Sequence, residues 1–293
     1  MSTWNSILAT AAALVVAVSS QAASPRVEKL ASLVDKSPEG AGYGADGLMY
    51  FTSAGSKELL RWRDGKAEVF ASLPIHALVV VAAPKGFVVD GHVDVDMSGP
   101  GGLFSKLGGA GRLVAVDLQG KVTREVKVGS LPNGLVHLNG DVYLAADSVE
   151  GKIWRVDMAK GEASVWLEDP RLLAVQSGGG PGANGLKMHD GQLYVAHTSR
   201  GEMYRIGVGK DGKPSGQLTH FADVKGADDF DITRDGTLYV ATHGPIVRIT
   251  PKGESSDYTD PKAVDGGPAL LLSKDQKSIY VFTSGPVLPA APG

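Results

Sequence analysis

The chain has no cysteine among its 293 residues. Disulfides, thiolate zinc sites, iron–sulfur clusters and cysteine nucleophiles are therefore excluded. Lysine and arginine (29) nearly balance aspartate and glutamate (32), so the net charge is only -3. No basic cluster marks a nucleic-acid or membrane surface, and we expect neither as a partner. Glycine is abundant, with 39 residues, but its lack of a three-residue period excludes collagen.

Helical periodicity is nearly absent outside the N-terminal segment. Residues 1–25 carry no charged side chain, and residues 7–18 read ILATAAALVVAV. This run is too short to cross a bilayer but suits the hydrophobic region of a secretory signal peptide, with cleavage after Ala22 or Ala23. We therefore predict a signal peptide at residues 1–23, a secreted or periplasmic location, and no membrane attachment after cleavage. The alternative is an uncleaved anchor or a buried helix.

Residues 24–293 repeat a strand pattern. Six segments share one template: LMYFTSAG (48–55), the degenerate GFVVDGHV (86–93), DVYLAADS (141–148), QLYVAHTS (192–199), TLYVATHG (237–244) and SIYVFTSG (278–285). Strand-like units of about 40–50 residues are typical of β-propellers. We predict an all-β, six-bladed propeller over residues 24–293. A spare strand at 27–34 is expected to close the ring by pairing into the last blade, which removes a sheet edge.

Polar residues recur at one register of the units. Hairpin dipeptides fall at 46–47, 139–140, 190–191 and 235–236. Six or seven residues earlier, the sequence has Glu39, Asn133, Asn184 and Asp228. We expect these residues at the starts of innermost strands, where they would meet around the central channel.

Two carboxylates and two amides form a hard-oxygen donor set, which favours Ca²⁺ over zinc or copper. The alternative is that Asn133-Gly134 and Asn184-Gly185 are merely turn dipeptides. A one-residue bulge would also transfer the role of Asp228 to Asp229. The second strand of each unit runs back toward the same face of the propeller. His197 and His243, at the ends of second strands, are therefore expected near the mouth of the central channel. These histidines are candidate proton carriers near neutral pH, and the alternative is that they are hydrogen-bonded rim residues.

Several stretches resemble the gluconolactonase/regucalcin-like family of six-bladed propellers. They are SPEGAGYGADGLMYF, LPNGLVHLNGDVYLAADSVEGKIWRVD, GANGLKMHDGQLYVAHTS and GADDFDITRDGTLYVATH, spread over most of residues 37–285. The resemblance implies a divalent ion, usually Ca²⁺, in the channel, and hydrolysis of lactones or of phosphotriesters. By motif, the family's acidic first-blade ligand corresponds to Glu39, its asparagine ligands to Asn133 and Asn184, and its aspartate ligand to Asp228.

The sequence departs from the family at two places. Ala227-Asp228-Asp229 stands where the family often has Pro-Asp-Gly, and the arginine and asparagine that bind sugar lactones have no clear match. We therefore expect a more apolar small-molecule lactone or ester as substrate.

The resulting hypothesis is a monomeric, Ca²⁺-dependent hydrolase. The ion polarises the substrate carbonyl, Asp228 or a water that it orients supplies the attack, and His243 or His197 moves the proton. Two alternatives stay open. One is a binding module with a structural metal. The other is an isomerase or condensing enzyme of the strictosidine synthase-like branch.

Overall fold

The computed structural model describes residues 13–20, 23–33, 36–96, 98, 103–175, 180–264 and 266–283. Strands dominate these residues, with one short helix, α1 (Leu103–Lys106), and a 3₁₀ turn at Pro170–Leu172. Within the same residues, no helix has the length and apolar character needed to cross a bilayer.

The described strands form six four-stranded antiparallel sheets. Five of them run in chain order from the inside outward. Their strands are β3 (Pro38–Tyr43), β4 (Met49–Ser53), β5 (Glu58–Arg63) and β6 (Lys66–Ser72); β7 (His76–Ala83), β8 (Gly86–His92), β9 (Gly111–Asp117) and β10 (Val122–Lys127); β11 (Pro132–Asn139), β12 (Val142–Asp147), β13 (Lys152–Asp157) and β14 (Glu162–Glu168); β15 (Ala183–His189), β16 (Gln192–His197), β17 (Glu202–Val208) and β18 (Pro214–Asp223); β19 (Phe230–Ile232), β20 (Leu238–Val240), β21 (Val247–Ile249) and β22 (Ser255–Asp257).

The last sheet joins both ends of the described chain. Its order is β23 (Ala269–Leu272), β24 (Ser278–Thr283), β1 (Ala13–Ser20) and β2 (Ala23–Ser32). An N-terminal strand was expected to pair into this sheet at 27–34. That segment overlaps β2, which does belong to this sheet as its outermost strand, and β1 lies between it and β24. β1 lies inside the range predicted as a signal peptide, so the leader stays a prediction.

The first strands of the six sheets surround one axis. Each contacts the next, in the order β3, β7, β11, β15, β19 and β23, and β23 returns to β3. The prediction of an all-β propeller is therefore confirmed.

Hydrophobic cores lie between the faces of neighbouring sheets. Tyr50 and Phe87 from the first two sheets pack with ring centroids 4.3 Å apart, and Leu144 and Leu193 join the third sheet to the fourth. The template tyrosines Tyr50, Tyr143 and Tyr194 are at most 7% exposed, which explains why this aromatic recurs. Inter-sheet packing of this kind fixes the orientation of the inner strands, and thereby the site.

Candidate functional site

A shared irregularity interrupts the innermost strands. Pairing with the second strand skips between Pro38 and Ala41, between Pro132 and Leu135, and between Ala183 and Leu186. The skipped pairs are Glu39-Gly40, Asn133-Gly134 and Asn184-Gly185. Bulges of this kind redirect a side chain from the sheet, and they are frequent next to functional sites. Three of the four predicted ligands therefore occupy one structural position.

The fifth sheet has the same arrangement with a different residue pair. Phe230 pairs with Val240, as Ala41 pairs with Phe51. Asp228 N donates to Ala241 O at 3.0 Å, and Ala241 N donates to Asp229 O at 2.8 Å. Asp228 thus corresponds to Glu39, and Asp229 stands where the other sheets have glycine. In the second sheet the pair is Leu78-Val79, which supplies no oxygen side chain.

The glycines of these pairs are required by close approach between sheets, and not by turns. A Cβ atom at Gly134 would lie 2.0 Å from Asn184 O, and one at Gly185 would lie 2.8 Å from Asp228 O. A Cβ at Gly40 would lie 2.4 Å from Leu78 O. The hairpin glycines, such as Gly140 and Gly191, instead have positive φ angles of 51° and 71°. The turn interpretation of the Asn-Gly pairs is therefore wrong.

The site joins Asn184 to Asp228 directly. Asn184 Nδ2 donates to Asp228 Oδ1 at 2.7 Å and to Thr198 Oγ1 at 3.0 Å. Thr198 Oγ1 in turn donates to Ala227 O at 2.8 Å, which ties the fourth sheet to the fifth. Because both amide protons of Asn184 are used, its Oδ1 is the atom left for another ligand. Asn184 is only 2% exposed, so this orientation is fixed by its surroundings.

Glu39 lies close enough to Asp228 for their charges to repel. Burial, and then the charge of Asp228, raise the pKa of Glu39 to about 8. Burial likewise raises the pKa of Asp228, while the hydrogen bonds from His243 and Asn184 oppose the rise. Neighbouring carboxylates with raised pKa values are stabilised in the ionised form by a cation. Asn133 shares their strand position and is half-buried, beside Gly134, which packs against Asn184 O.

These residues fit a hard divalent cation by the chemistry of their donors. Two carboxylates and two amide oxygens, completed by water, match the preferences of Ca²⁺. Within the described part of the chain, no group of three or more His, Cys, Asp or Glu side chains is arranged to hold a metal. A metal site at this position would therefore need the amide oxygens of Asn133 and Asn184 in addition to the two carboxylates.

The two candidate histidines have different environments. His243 Nε2 lies 3.3 Å from Asp228 Oδ2, and its side chain is 43% exposed. The hydrogen bond to Asp228 raises the pKa of His243, against the effect of burial. His197 is fully buried. Its Nε2 contacts Leu173 O at 3.0 Å, and its Nδ1 accepts from Arg200 N at 3.2 Å.

Both ring nitrogens of His197 are thus engaged by main-chain groups, and burial lowers its pKa. The structure places His197 at the end of β16, where both ring nitrogens already have main-chain partners. Of the two histidines predicted as proton carriers, only His243 contacts a predicted ligand.

A second polar cluster along the axis was not predicted from the sequence. Lys187 Nζ lies 2.9 Å from Asp229 Oδ1, and the charges of Asp231 and Asp90 also act on the ammonium. These residues come from the second, fourth and fifth sheets, so they meet at the axis. Charged residues within otherwise largely apolar strands, Lys187 in β15 and Asp90 in β8, were the available signal.

The protein defined by this geometry is an all-β propeller with oxygen donors gathered at its axis. Solved structures with a similar fold include a gluconolactonase from Xanthomonas campestris. Its TM-score is 0.64 at 16% identity, over 94% of this chain and 98% of that one. Regucalcin from Agrobacterium tumefaciens, a calcium-binding protein, has a TM-score of 0.56 at 16% identity, over 86% of this chain and 92% of that one.

A streptogramin B lyase also shares the fold, with a TM-score of 0.58 at 16% identity over 93% of this chain and 81% of the lyase chain. No protein-family model and no curated protein sequence matches this chain. The resemblance to gluconolactonase/regucalcin-like propellers is thus confirmed at the level of the fold. The shared fold does not define the reaction.

Proposed function

We propose that this chain is a six-bladed propeller hydrolase that acts on a small lactone or ester with the help of an axial divalent cation, preferentially Ca²⁺. The observation that carries the proposal is the shared bulge position of Glu39, Asn133, Asn184 and Asp228. The gluconolactonase and regucalcin neighbours support it at the level of fold.

The residues of the site have separable roles. Glu39 and Asp228 would supply negative charge to the cation, and Asn133 and Asn184 would supply neutral oxygens. A bound cation would polarise the substrate carbonyl and stabilise its developing negative charge. Thr198 holds Asn184 with its amide protons turned toward Asp228 and Thr198 itself, which leaves the amide oxygen for binding.

Asp228 and His243 are suited to move the proton of an attacking water. Asp228 Oδ1 is held by Asn184, and Oδ2 faces His243 Nε2 at 3.3 Å. We propose that Asp228 orients the water and takes its proton, and that neutral His243, whose exposed side chain reaches solvent, then accepts this proton at Nε2 from Asp228 Oδ2. The raised pKa of His243 stabilises the imidazolium that forms.

A cleft of about 540 Å³ adjoins His243 and offers room for the rest of a substrate. Val224, Pro245 and Val247 contribute apolar lining, and Lys225 lies among its polar residues. His243 would separate this cleft from Asp228. The lining agrees with the expected preference for an apolar lactone or ester.

The direct test is a panel of lactones, aryl esters and phosphotriesters, assayed with Ca²⁺ and with EDTA, alongside metal analysis of the purified protein. We expect turnover that EDTA abolishes and Ca²⁺ restores. Asp228→Asn should lower kcat/KM by at least about 100-fold, whereas the exposed control Asp64→Asn should retain it. Full activity in EDTA, or in Asp228→Asn, would refute the proposal.

The lyase neighbour makes elimination the second candidate reaction. His243 beside Asp228 would then abstract a carbon-bound proton. Product analysis in H₂¹⁸O separates the two reactions, because hydrolysis incorporates the label and elimination does not.

A further inference from the structure

The strands that carry Asn184 and Asp228 are joined a second time, by an ion pair outside the proposed donor set. Lys187 lies three residues after Asn184 on β15, and Asp229 is the neighbour of Asp228. Lys187 Nζ lies 2.9 Å from Asp229 Oδ1. Asp229 is 4% exposed.

The surroundings of this pair leave little freedom to either partner. A Cβ atom at Gly185 would lie 2.8 Å from Asp229 Oδ1, so the carboxylate packs against the β15 main chain. Gly185 N donates to Asp228 O at 3.1 Å, and Asp229 N donates to Pro268 O at 3.2 Å. Lys187 Nζ also lies 5.7 Å from the centroid of the buried Phe230 ring. The ammonium thus contacts groups of the fourth and fifth sheets, while 23% of the Lys187 side chain stays exposed.

Lys187 also offsets the charges of a larger carboxylate group. Burial opposes its charge, yet the carboxylates of Asp229, Asp231 and Asp90 raise its pKa overall. Asp90 Oδ2 and Asp229 Oδ2 are buried without a hydrogen-bond partner. Because these two oxygens lack hydrogen-bond donors, the Lys187 ammonium of β15 is needed to offset the negative charge of the cluster.

We propose that the Lys187–Asp229 ion pair fixes the spacing of β15 and β19, and that Lys187 is thereby a positioning residue for the Asn184–Asp228 contact. This positioning role rests on the proposed function in one respect, because its first test measures cation binding. Lys187 is not a member of the proposed donor set. Its effect reaches the site through Asp229 and the shared main chain.

The test uses the full chain with both partners neutralised, because removing one alone would leave a buried charge unpaired. Calcium affinity of Lys187→Met/Asp229→Asn is measured by titration calorimetry at one pH. We expect at least about tenfold weaker binding than wild type, the usual scale for lost outer support of ligands. Lys187→Arg, which keeps the ion pair, should stay within about threefold.

Two controls separate positioning from other effects. Lys213→Met/Asp211→Asn removes an exposed pair, Lys213 Nζ to Asp211 Oδ2 at 3.7 Å, and should leave affinity unchanged. Leu218→Ala, at a core position 3% exposed in the fourth sheet, should lower Tm without weakening Ca²⁺ binding. Equal weakening by Leu218→Ala would reduce the effect to general destabilisation and overturn the proposal.

Crystal structures of the calcium-free wild type and double variant give a readout that needs neither cation nor activity. We expect the 2.7 Å contact from Asn184 Nδ2 to Asp228 Oδ1 to be lost in the variant. An intact contact would overturn the positioning role, whatever the affinity. If wild type binds no Ca²⁺ while the contact still breaks in the variant, the proposed function fails and the positioning role stands.

Discussion

Glu39 and Asp228 determine how the candidate site responds to pH. Burial raises both pKa values. The charge of Asp228 adds to the rise at Glu39, whose pKa reaches about 8, and the charge of Asp229 adds to the rise at Asp228. Below that pH, Glu39 binds a proton in the folded chain that a bound cation would have to displace. Proton release and cation binding are therefore coupled.

We expect Ca²⁺ affinity to rise by about tenfold per pH unit as pH increases toward 8, and then to level off. Calorimetry in buffers of different ionisation enthalpy would count the protons released. Glu39→Gln should bind more weakly and with a flatter pH profile. A wild-type affinity independent of pH between 6 and 8 would contradict this prediction.

The Glu39 carboxyl also affects the free energy of unfolding when no cation is present. Its folded pKa of about 8 lies above the ordinary value of 4.5 for a glutamate, so the folded chain holds the proton more tightly than the unfolded chain does. Its contribution to stability is complete below pH 4.5 and is lost as pH rises to 8. Urea unfolding in EDTA at pH 5 and pH 8 should show a loss that Glu39→Gln abolishes.

Substitutions of His243 and His197 should have different effects on activity and stability. His243→Gln should lower kcat by about 100-fold with little change in Tm, since the side chain is 43% exposed and contacts Asp228. His197→Ala should lower the free energy of unfolding by about 1–3 kcal/mol, because it leaves main-chain groups without partners. Steady-state kinetics and thermal unfolding of both variants check this. The reverse pattern would restore His197 as the proton carrier.

At the scale of secondary-structure elements, the inner strands pack main chain against main chain. Gly134 and Gly185 face the neighbouring strand directly. Ser148 Oγ and Thr198 Oγ1 add hydrogen bonds from the end of one sheet to Ala183 O and Ala227 O of the next, at 2.7 and 2.8 Å.

Gly134→Ala should therefore destabilise the protein by about 1–3 kcal/mol, because its Cβ would collide with Asn184 O at 2.0 Å. Gly108→Ala is the matched control, since a Cβ there meets nothing within 4 Å. Urea unfolding of both variants measures the difference. An unchanged midpoint in Gly134→Ala would contradict the close approach.

The sequence predicted the register of the inner strands because a repeated fold places equivalent residues at equal distances from a hairpin turn. Glu39, Asn133 and Asn184 were found in this way. It could not predict the Lys187–Asp229 pair, since a contact between two sheets leaves no periodic trace. It also could not show that His197 faces main-chain groups, because the loop after a strand sets that direction.

At the scale of the whole molecule, the last sheet combines both ends of the described chain. Leu14 of β1 is fully buried, and β1 lies between β2 and β24. The predicted leader, residues 1–23, contains β1. Cleavage there would remove a strand from this sheet and expose the edge of β24 that pairs with β1, while β24 would keep its pairing with β23.

We expect the 24–293 form to fold but to unfold at a lower temperature than the 1–293 form, because β24 loses its neighbour β1. Thermal unfolding of both forms, with intact mass to establish their N-termini, measures this. The exported protein should have a mass matching cleavage near Ala23. Equal Tm values would mean that residues of β2 take the place of β1.

The glycine contacts also have a consequence for engineering. The main chains of adjacent inner strands are already in contact at Gly40, Gly134 and Gly185. The diameter of the central channel is therefore set by the packing of the main chain. Exchanging a lining side chain can alter which groups face the axis, but it cannot enlarge the circle on which they stand. A channel wide enough for a larger ion would therefore require a different number of repeats around the axis.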